Sequence, residues 1–168
     1  MTYTLISPSL DPHFNLAAEE YLLRQADQDV FMLWRSQPSI IVGRNQNTLA
    51  QIHVEFVMKN GLQLARRLSG GGAVFHDLGN VNFTFIATRP DGPKLDFRRY
   101  TTPILSALSE LGVEADFGSR NELTIQGSKI SGNSQHIHRD RVLHHGTLLY
   151  NASMEVMSQS LHVNSARY

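Results

Sequence analysis

Residues 65–80 read ARRLSGGGAVFHDLGN, and the parsing of this stretch decides the architecture. Three consecutive glycines, Gly70, Gly71 and Gly72, separate Leu62–Arg67 from Ala73–His76, two short segments with the composition of strands. A helix opening directly after the glycines would make a dinucleotide-binding turn. AVFHD reads as a strand instead, and no Gly-Lys-Ser/Thr follows to make a Walker A loop, so both nucleotide motifs fall away. Three glycines in a row cost backbone entropy that a purely structural turn avoids. Two readings are open from the loop alone. Glycine N–H groups with the adjoining Arg66 and Arg67 gather an anion, or the segment is a long hairpin turn with solvated arginines.

Working outward, Asp11 and Pro12 open a helix whose apolar spacing runs through Phe14, Ala17, Ala18, Tyr21 and Leu22. Val30–Trp34 and Ser39–Val42 read as strands across a Ser-Gln-Pro turn, and His53–Asn60 as a short helix closed by Gly61. Val81–Ala87 continues the strand series after DLGN. A helix is expected from Thr102 to Gly112 with Pro103 at its first position. Val113–Phe117, Leu123–Gln126, Lys129–His138 and Val142–Tyr150 read as strands, the last two joined at Arg139-Asp140-Arg141, and a last helix starts near Ser153. Many strands adjacent in sequence predict an α+β fold with a mixed, largely antiparallel sheet flanked by helices.

The chain has 168 residues, 15 basic against 15 acidic side chains, and no cysteine. The length suits one domain, 1–168. Zero formal charge gives no call for nucleic acid or an anionic membrane, and no apolar run reaches a membrane span, so a soluble cytoplasmic protein is expected. Lacking cysteine, the chain has no thiolate zinc site and no cysteine nucleophile.

A second polar constellation spans Arg120-Asn121-Glu122 and Gly127–Gln135, where Lys129, Ser131 and Asn133 share one face of a strand. Lys129 reads either as a ligand-reaching ammonium among small residues or as an exposed edge-strand lysine. His136, His138, His144 and His145 invite a metal, but no acidic companion stands at ligand spacing, so no metal site from the protein alone is expected. Glu19 and Glu20 read as a solvated pair on the first helix.

RRLSGGGAVFHDLGNVNFTF, RNELTIQGSKISGNSQ and LHHGTLLYN, with NLAAEEYLL and PSIIVGRNQN before them, together resemble the lipoate-protein ligase A family in order and spacing. The resemblance implies the fold shared with biotin-protein ligases. It implies a two-step reaction with ATP, accompanied by Mg2+: lipoate becomes lipoyl-AMP, and the lysine of a lipoyl-accepting domain then takes the acyl group. Such acceptors are the lipoyl domains of 2-oxoacid dehydrogenase complexes and the glycine-cleavage H protein. By motif position, Arg67 and the Gly71-Gly72-Ala73-Val74-Phe75 backbone would line the adenylate and acyl site, and Lys129 would bridge carboxylate and α-phosphate. Ser69, His76, Asn80, Asn121 and His145 would make secondary contacts, and Trp34, Val42 and Val74 an apolar slot.

Two departures stand out. Glu122 occupies the position where the family usually has aspartate, and the chain ends at Tyr168 where members of the family continue, so the catalytic domain is expected to be incomplete at that end and to lack an accessory domain. Two further readings follow. One is a lipoate- or adenylate-binding module that needs a separate accessory domain or subunit. The other is an ATP-independent octanoyl or lipoyl transferase, which works through a cysteine that this sequence lacks.

Overall fold

The computed structural model describes residues 2–89, 92 and 94–162. In chain order the elements are β1 (Thr2–Ile6), α1 (Pro12–Gln25), β2 (Asp29–Trp34), β3 (Ser39–Val42), α2 (Val54–Lys59), β4 (Gln63–Arg66) and β5 (Val74–His76). There follow β6 (Asn80–Thr88), α3 (Phe97–Glu110), β7 (Asp116–Phe117), β8 (Leu123–Ile125), β9 (Ser128–His138), β10 (Arg141–Leu149) and α4 (Met154–Ser160). A seven-stranded sheet runs β1-β2-β6-β10-β9-β8-β7, and a three-stranded sheet runs β4-β3-β5. Among the described residues only β1 with β2 and β3 with β4 are parallel, and every other strand pair is antiparallel, in line with the largely antiparallel sheet expected.

Alternation along β6 builds two of the three cores. Phe83 turns to one face and packs with Ile104 of α3 and Leu123, while Ile86 turns to the other and packs with Leu23 of α1, Val30 and Leu143. The third core lies under the small sheet, where Ile40, Val42 and Phe75 meet Val57 of α2 and Met157 of α4. Among the described residues no helix is long and apolar enough to cross a membrane.

Four expectations change. First, β1 is an added edge strand, pairing Thr2–Ile6 with Asp29–Leu33. Second, α3 starts at Phe97, where the Asp96 carboxylate accepts the Arg99 N–H at 3.1 Å, so Pro103 lies inside the helix. Arg99 and Pro103 are both exposed, so the bond it forfeits falls on the outer side of the helix. Third, α1 buries Pro12, Asn15, Glu19 and Leu23, whereas Phe14 and Tyr21 are exposed and Leu22 only flanks the core, so the inward stripe is offset from the expected apolar one. Fourth, Arg141 is a strand residue. Its buried guanidinium donates to the carbonyls of Leu22, Leu23, Ala26 and Gln28, satisfying the C-terminal end of α1 that the helix itself cannot.

The triple-glycine segment also receives a definite topology. Because β3 lies between β4 and β5, the chain from Arg67 to Ala73 is not a hairpin turn; it arches over the end of β3.

Candidate functional site

The arch forms one wall of a cleft of about 690 Å³ between the two sheets. Arg67, Gly71, Gly72, Ala73, Val74 and His76 border it from the small sheet and the arch. Lys129 of β9, His145 of β10 and Trp34 of β2 face them from the large sheet. The strand period explains the selection on β5: Val74 and His76 point to the cleft, and Phe75 between them joins the core. Val42 is likewise in the core, and Ile41 takes the cleft position expected for it. Ser69, Asn80 and Asn121 stand behind the wall. Asn80 donates to the Phe75 carbonyl at 3.3 Å, and the Asn121 carbonyl accepts the Asn133 amide at 2.8 Å.

The two arginines before the arch spend their donors on backbone carbonyls. Arg66 holds the loop after β3, donating to Gly43, Arg44 and Gln46 carbonyls at 2.8, 3.3 and 2.9 Å and to Thr48 Oγ1 at 2.9 Å. Arg67, on the opposite side of the strand, donates through Nη2 to Gly70 and Gly72 at 2.7 Å each and through Nη1 to Ile41 at 3.0 Å. Burial pushes the Arg67 guanidinium down to about 10, against the pull of Glu19. The two loops touch where Gly43 meets Gly71. A Cβ on Gly43 would lie 2.2 Å from the Gly71 carbonyl oxygen, and Gly71 has φ +92°.

Glu19 and Glu20 are not a solvated pair. Glu20 is, meeting exposed Arg24 at 2.8 Å, but Glu19 is 2% exposed, because Asn15, Glu19 and Leu23 fall on one inward stripe four residues apart. Its carboxylate accepts Thr84 Oγ1 at 2.5 Å and lies 3.0 Å from His145 Nδ1, while His145 Nε2 is 2.5 Å from Ser69 Oγ. Residue identity alone hid this, although the four-residue spacing with Leu23 was a usable signal.

Deeper in the cleft, His76 Nε2 lies 3.1 Å from Thr147 Oγ1, whose hydroxyl donates to Asn82 Oδ1 at 2.9 Å. Thr147 therefore accepts from His76, which leaves His76 Nδ1 a bare acceptor. Burial first, then Arg67 and His145, push His76 down to about 3, so the ring is uncharged at neutral pH. His76 Nδ1, Asn82 Nδ2 and Asn133 Oδ1 are buried without hydrogen-bond partners among the described residues, and all three side chains border the cleft. Such atoms carry a desolvation cost that a polar ligand or ordered water offsets.

At the far end Lys129 folds over Gly132, where an added Cβ would sit 3.4 Å from Nζ. The Glu122 carboxylate turns back on its own loop, accepting the Arg120 N–H at 2.7 Å, while its carbonyl accepts Gly118 N–H at 2.8 Å. Among the described residues no group of three or more His, Cys, Asp or Glu side chains converges for a metal.

A cleft with a glycine arch, a lysine and buried unpaired polar atoms suits a ligand with an apolar stem and an anionic head. The family described as the lipoyl protein ligase A/B catalytic domain matches residues 11–167. The chain belongs to that family. Lipoate-protein ligase LplJ of Bacillus subtilis is 46% identical over 156 residues, covering 91% of this chain and 47% of that protein. Lipoate-protein ligase 1 of Staphylococcus aureus is 42% identical, covering 94% and 48%. The chain thus spans about half the length of the curated relatives it matches.

Among solved structures, P. falciparum LipL1 in complex with lipoate superposes with TM-score 0.89 at 32% identity, covering 96% of this chain and 52% of that one. A lipoate-protein ligase A bound with ATP gives 0.88 at 27%, covering 99% and 72%. A bipartite archaeal ligase of Thermoplasma acidophilum gives 0.88 at 28%, covering 97% and 67%. The lipoyl ligase fold expected from the motifs is therefore the fold observed.

Proposed function

We propose that this chain supplies the acyl-activating core of an ATP-dependent lipoate-protein ligase. The observation that carries the reading is the cleft itself: the glycine arch, an apolar wall at Trp34, Ile41 and Val74, and Lys129 opposite meet in one volume. Supporting it, one structural neighbour carries lipoate and another ATP. In the first step a lipoate carboxylate oxygen attacks the α-phosphorus of ATP and pyrophosphate leaves. In the second, the lysine amine of an acceptor domain attacks the acyl carbon, AMP leaves, and the amine gives up a proton.

Neither step requires a nucleophile from the chain, so catalysis is positional and electrostatic. The Gly71–Phe75 segment forms the wall along which the adenylate lies. Lys129 neutralises the charge shared by the carboxylate and α-phosphate, and Arg67 keeps the arch carbonyls turned away from that charge. His76 and His145 complete the polar floor, with Ser69, Asn80 and Asn121 fixing the segments behind them. Magnesium would enter with the triphosphate and screen its charge. Among the described residues the carboxylate that borders the cleft is Glu122, which has an oxygen committed to the Arg120 N–H, and this fits a metal held mainly by phosphates.

The acceptors in this reading are lipoyl domains of 2-oxoacid dehydrogenase complexes and the glycine-cleavage H protein, in the cytoplasm. A second reading, a binding core that works with another domain or polypeptide, is favoured by the bipartite archaeal neighbour. One assay separates the readings. The chain is mixed with lipoate, ATP, magnesium and an unmodified lipoyl domain, and pyrophosphate and acceptor mass are followed separately. Both signals support the complete ligase; pyrophosphate alone supports the partner-dependent core; neither, with no binding of lipoate, rejects both. Lys129→Ala is expected to abolish pyrophosphate release while leaving the melting curve in place, and near-normal release would reject its role.

A further inference from the structure

Glu19 lies outside the cleft wall, yet two chains of hydrogen bonds from the wall end on it. Trp34 Nε1 donates to Thr84 Oγ1 at 3.2 Å, and Thr84 donates to Glu19 Oε1 at 2.5 Å. Arg67 Nε donates to Ser69 Oγ at 3.1 Å and also reaches the Gly70 carbonyl at 3.2 Å, Ser69 meets His145 Nε2 at 2.5 Å, and His145 Nδ1 meets Glu19 Oε2 at 3.0 Å. The carboxylate and the guanidinium together orient the second chain. A guanidinium only donates, so Ser69 accepts from Arg67, and with a singly protonated imidazole whose proton serves the carboxylate, Ser69 gives its own proton to His145 Nε2. His145 then carries its own proton on Nδ1 and donates it to the carboxylate. Every donor points toward Glu19, and Arg67, at the start of one chain, is the residue whose Nη2 holds the Gly70 and Gly72 carbonyls.

No carboxylate among the described residues lies within ion-pair distance of Arg67. Its buried charge is balanced at a distance, through two intervening side chains. We propose that Glu19 is a positioning residue: by accepting the terminal hydrogen bonds of both chains, it sets the shape of the glycine arch through His145, Ser69 and Arg67, and the pose of Trp34 through Thr84. This rests on the ligase reading only for what the arch is for; the relay itself is a property of the protein without ligand. An amide at position 19 offers one acceptor atom where two chains converge. Thr84 and His145, whose Nδ1 lies 3.2 Å from Oε1 and 3.0 Å from Oε2, must then share one uncharged oxygen, or one chain loses its terminus.

The test is hydrogen exchange at the Arg67 Nε–H, followed by 15N NMR in the ligand-free protein, beside emission from Trp34, which is the sole tryptophan. Glu19→Gln is expected to speed Arg67 Nε–H exchange by about tenfold or more, the loss of one hydrogen bond to a charged group, and to shift Trp34 emission. Ser69→Ala cuts only the arginine branch, so it should speed the exchange and leave Trp34 emission unchanged. Ser69→Thr, which keeps the hydroxyl, should restore protection, and exposed Glu20→Gln should change neither signal. Lipoate affinity should fall in Glu19→Gln and Ser69→Ala and recover in Ser69→Thr. Protection of Arg67 unchanged from the parent in Ser69→Ala, where Nε keeps only the Gly70 carbonyl, would overturn the proposal, and that variant decides the matter if Glu19→Gln does not fold. A parent protein that binds no lipoate would defeat the ligase reading while leaving the exchange result intact.

Discussion

At the scale of single residues, the three arch glycines divide by what an added methyl group would meet. Gly71 has φ +92° and lies against Arg67, whereas a Cβ on Gly72 meets no atom within 4 Å and would stand in the open cleft. Gly72→Ala is therefore expected to leave stability unchanged or raise it by up to ~1 kcal/mol, while weakening lipoyl-adenylate binding by at least about tenfold through lost room for the ligand. Calorimetric titration beside a thermal melt checks both halves, and unimpaired binding would mean that the ligand does not approach there. Gly43→Ala should behave oppositely, because its methyl group would collide with the Gly71 carbonyl. That variant should lower the melting temperature even without ligand.

The elements show why some of the molecule was legible in its sequence and some was not. Strands were readable because β2, β3 and β6 concentrate β-branched and aromatic residues between turn signals. The inward face of α1 was not, because tertiary contacts chose Asn15 and Glu19 over Phe14 and Tyr21 for burial, turning the buried stripe away from the apolar one. Polar residues can hold such positions only with partners. Asn15 has the carbonyls of Ser9 and Arg35, Glu19 has Thr84 and His145, and partners so distant in the chain leave no local pattern. The same holds for Arg141, read as a turn residue, which closes α1 across more than 110 positions of sequence. Arg141→Met should cost about 2–4 kcal/mol, since it strands several helix-end carbonyls in a buried place. A urea titration measures this, and a change below about 0.5 kcal/mol would show that water serves those carbonyls equally well.

For the molecule as a whole, two buried histidines govern the response to acid. Burial is the first cause for both His76 and His144, each pushed down to about 3 from 6.5, with His145 adding to the effect. Both are uncharged in the fold and take up protons near pH 6.5 once unfolded, so the unfolded chain binds more protons between pH 6.5 and 3. Stability is full above that window and falls as pH drops through it, by at most about 1.4 kcal/mol per pH unit for each histidine. Denaturation curves at pH 7, 6 and 5 should show the decline, and His144→Asn should remove about half of the slope even though it lowers stability at pH 7. A flat profile in the parent protein would contradict it. The two adjacent arginines of the arch carry a different consequence. Strand β4 is the outer, parallel-paired strand of the small sheet, where register is least constrained by neighbours, and Arg66 and Arg67 serve different loops from its two sides. A slip of one position would put one arginine on the other's carbonyls and bring Ala65 or Leu68 to the vacated place, leaving one set of carbonyls without a donor. The dipeptide thus works as a registration key, admitting one alignment of an edge strand and rejecting the next.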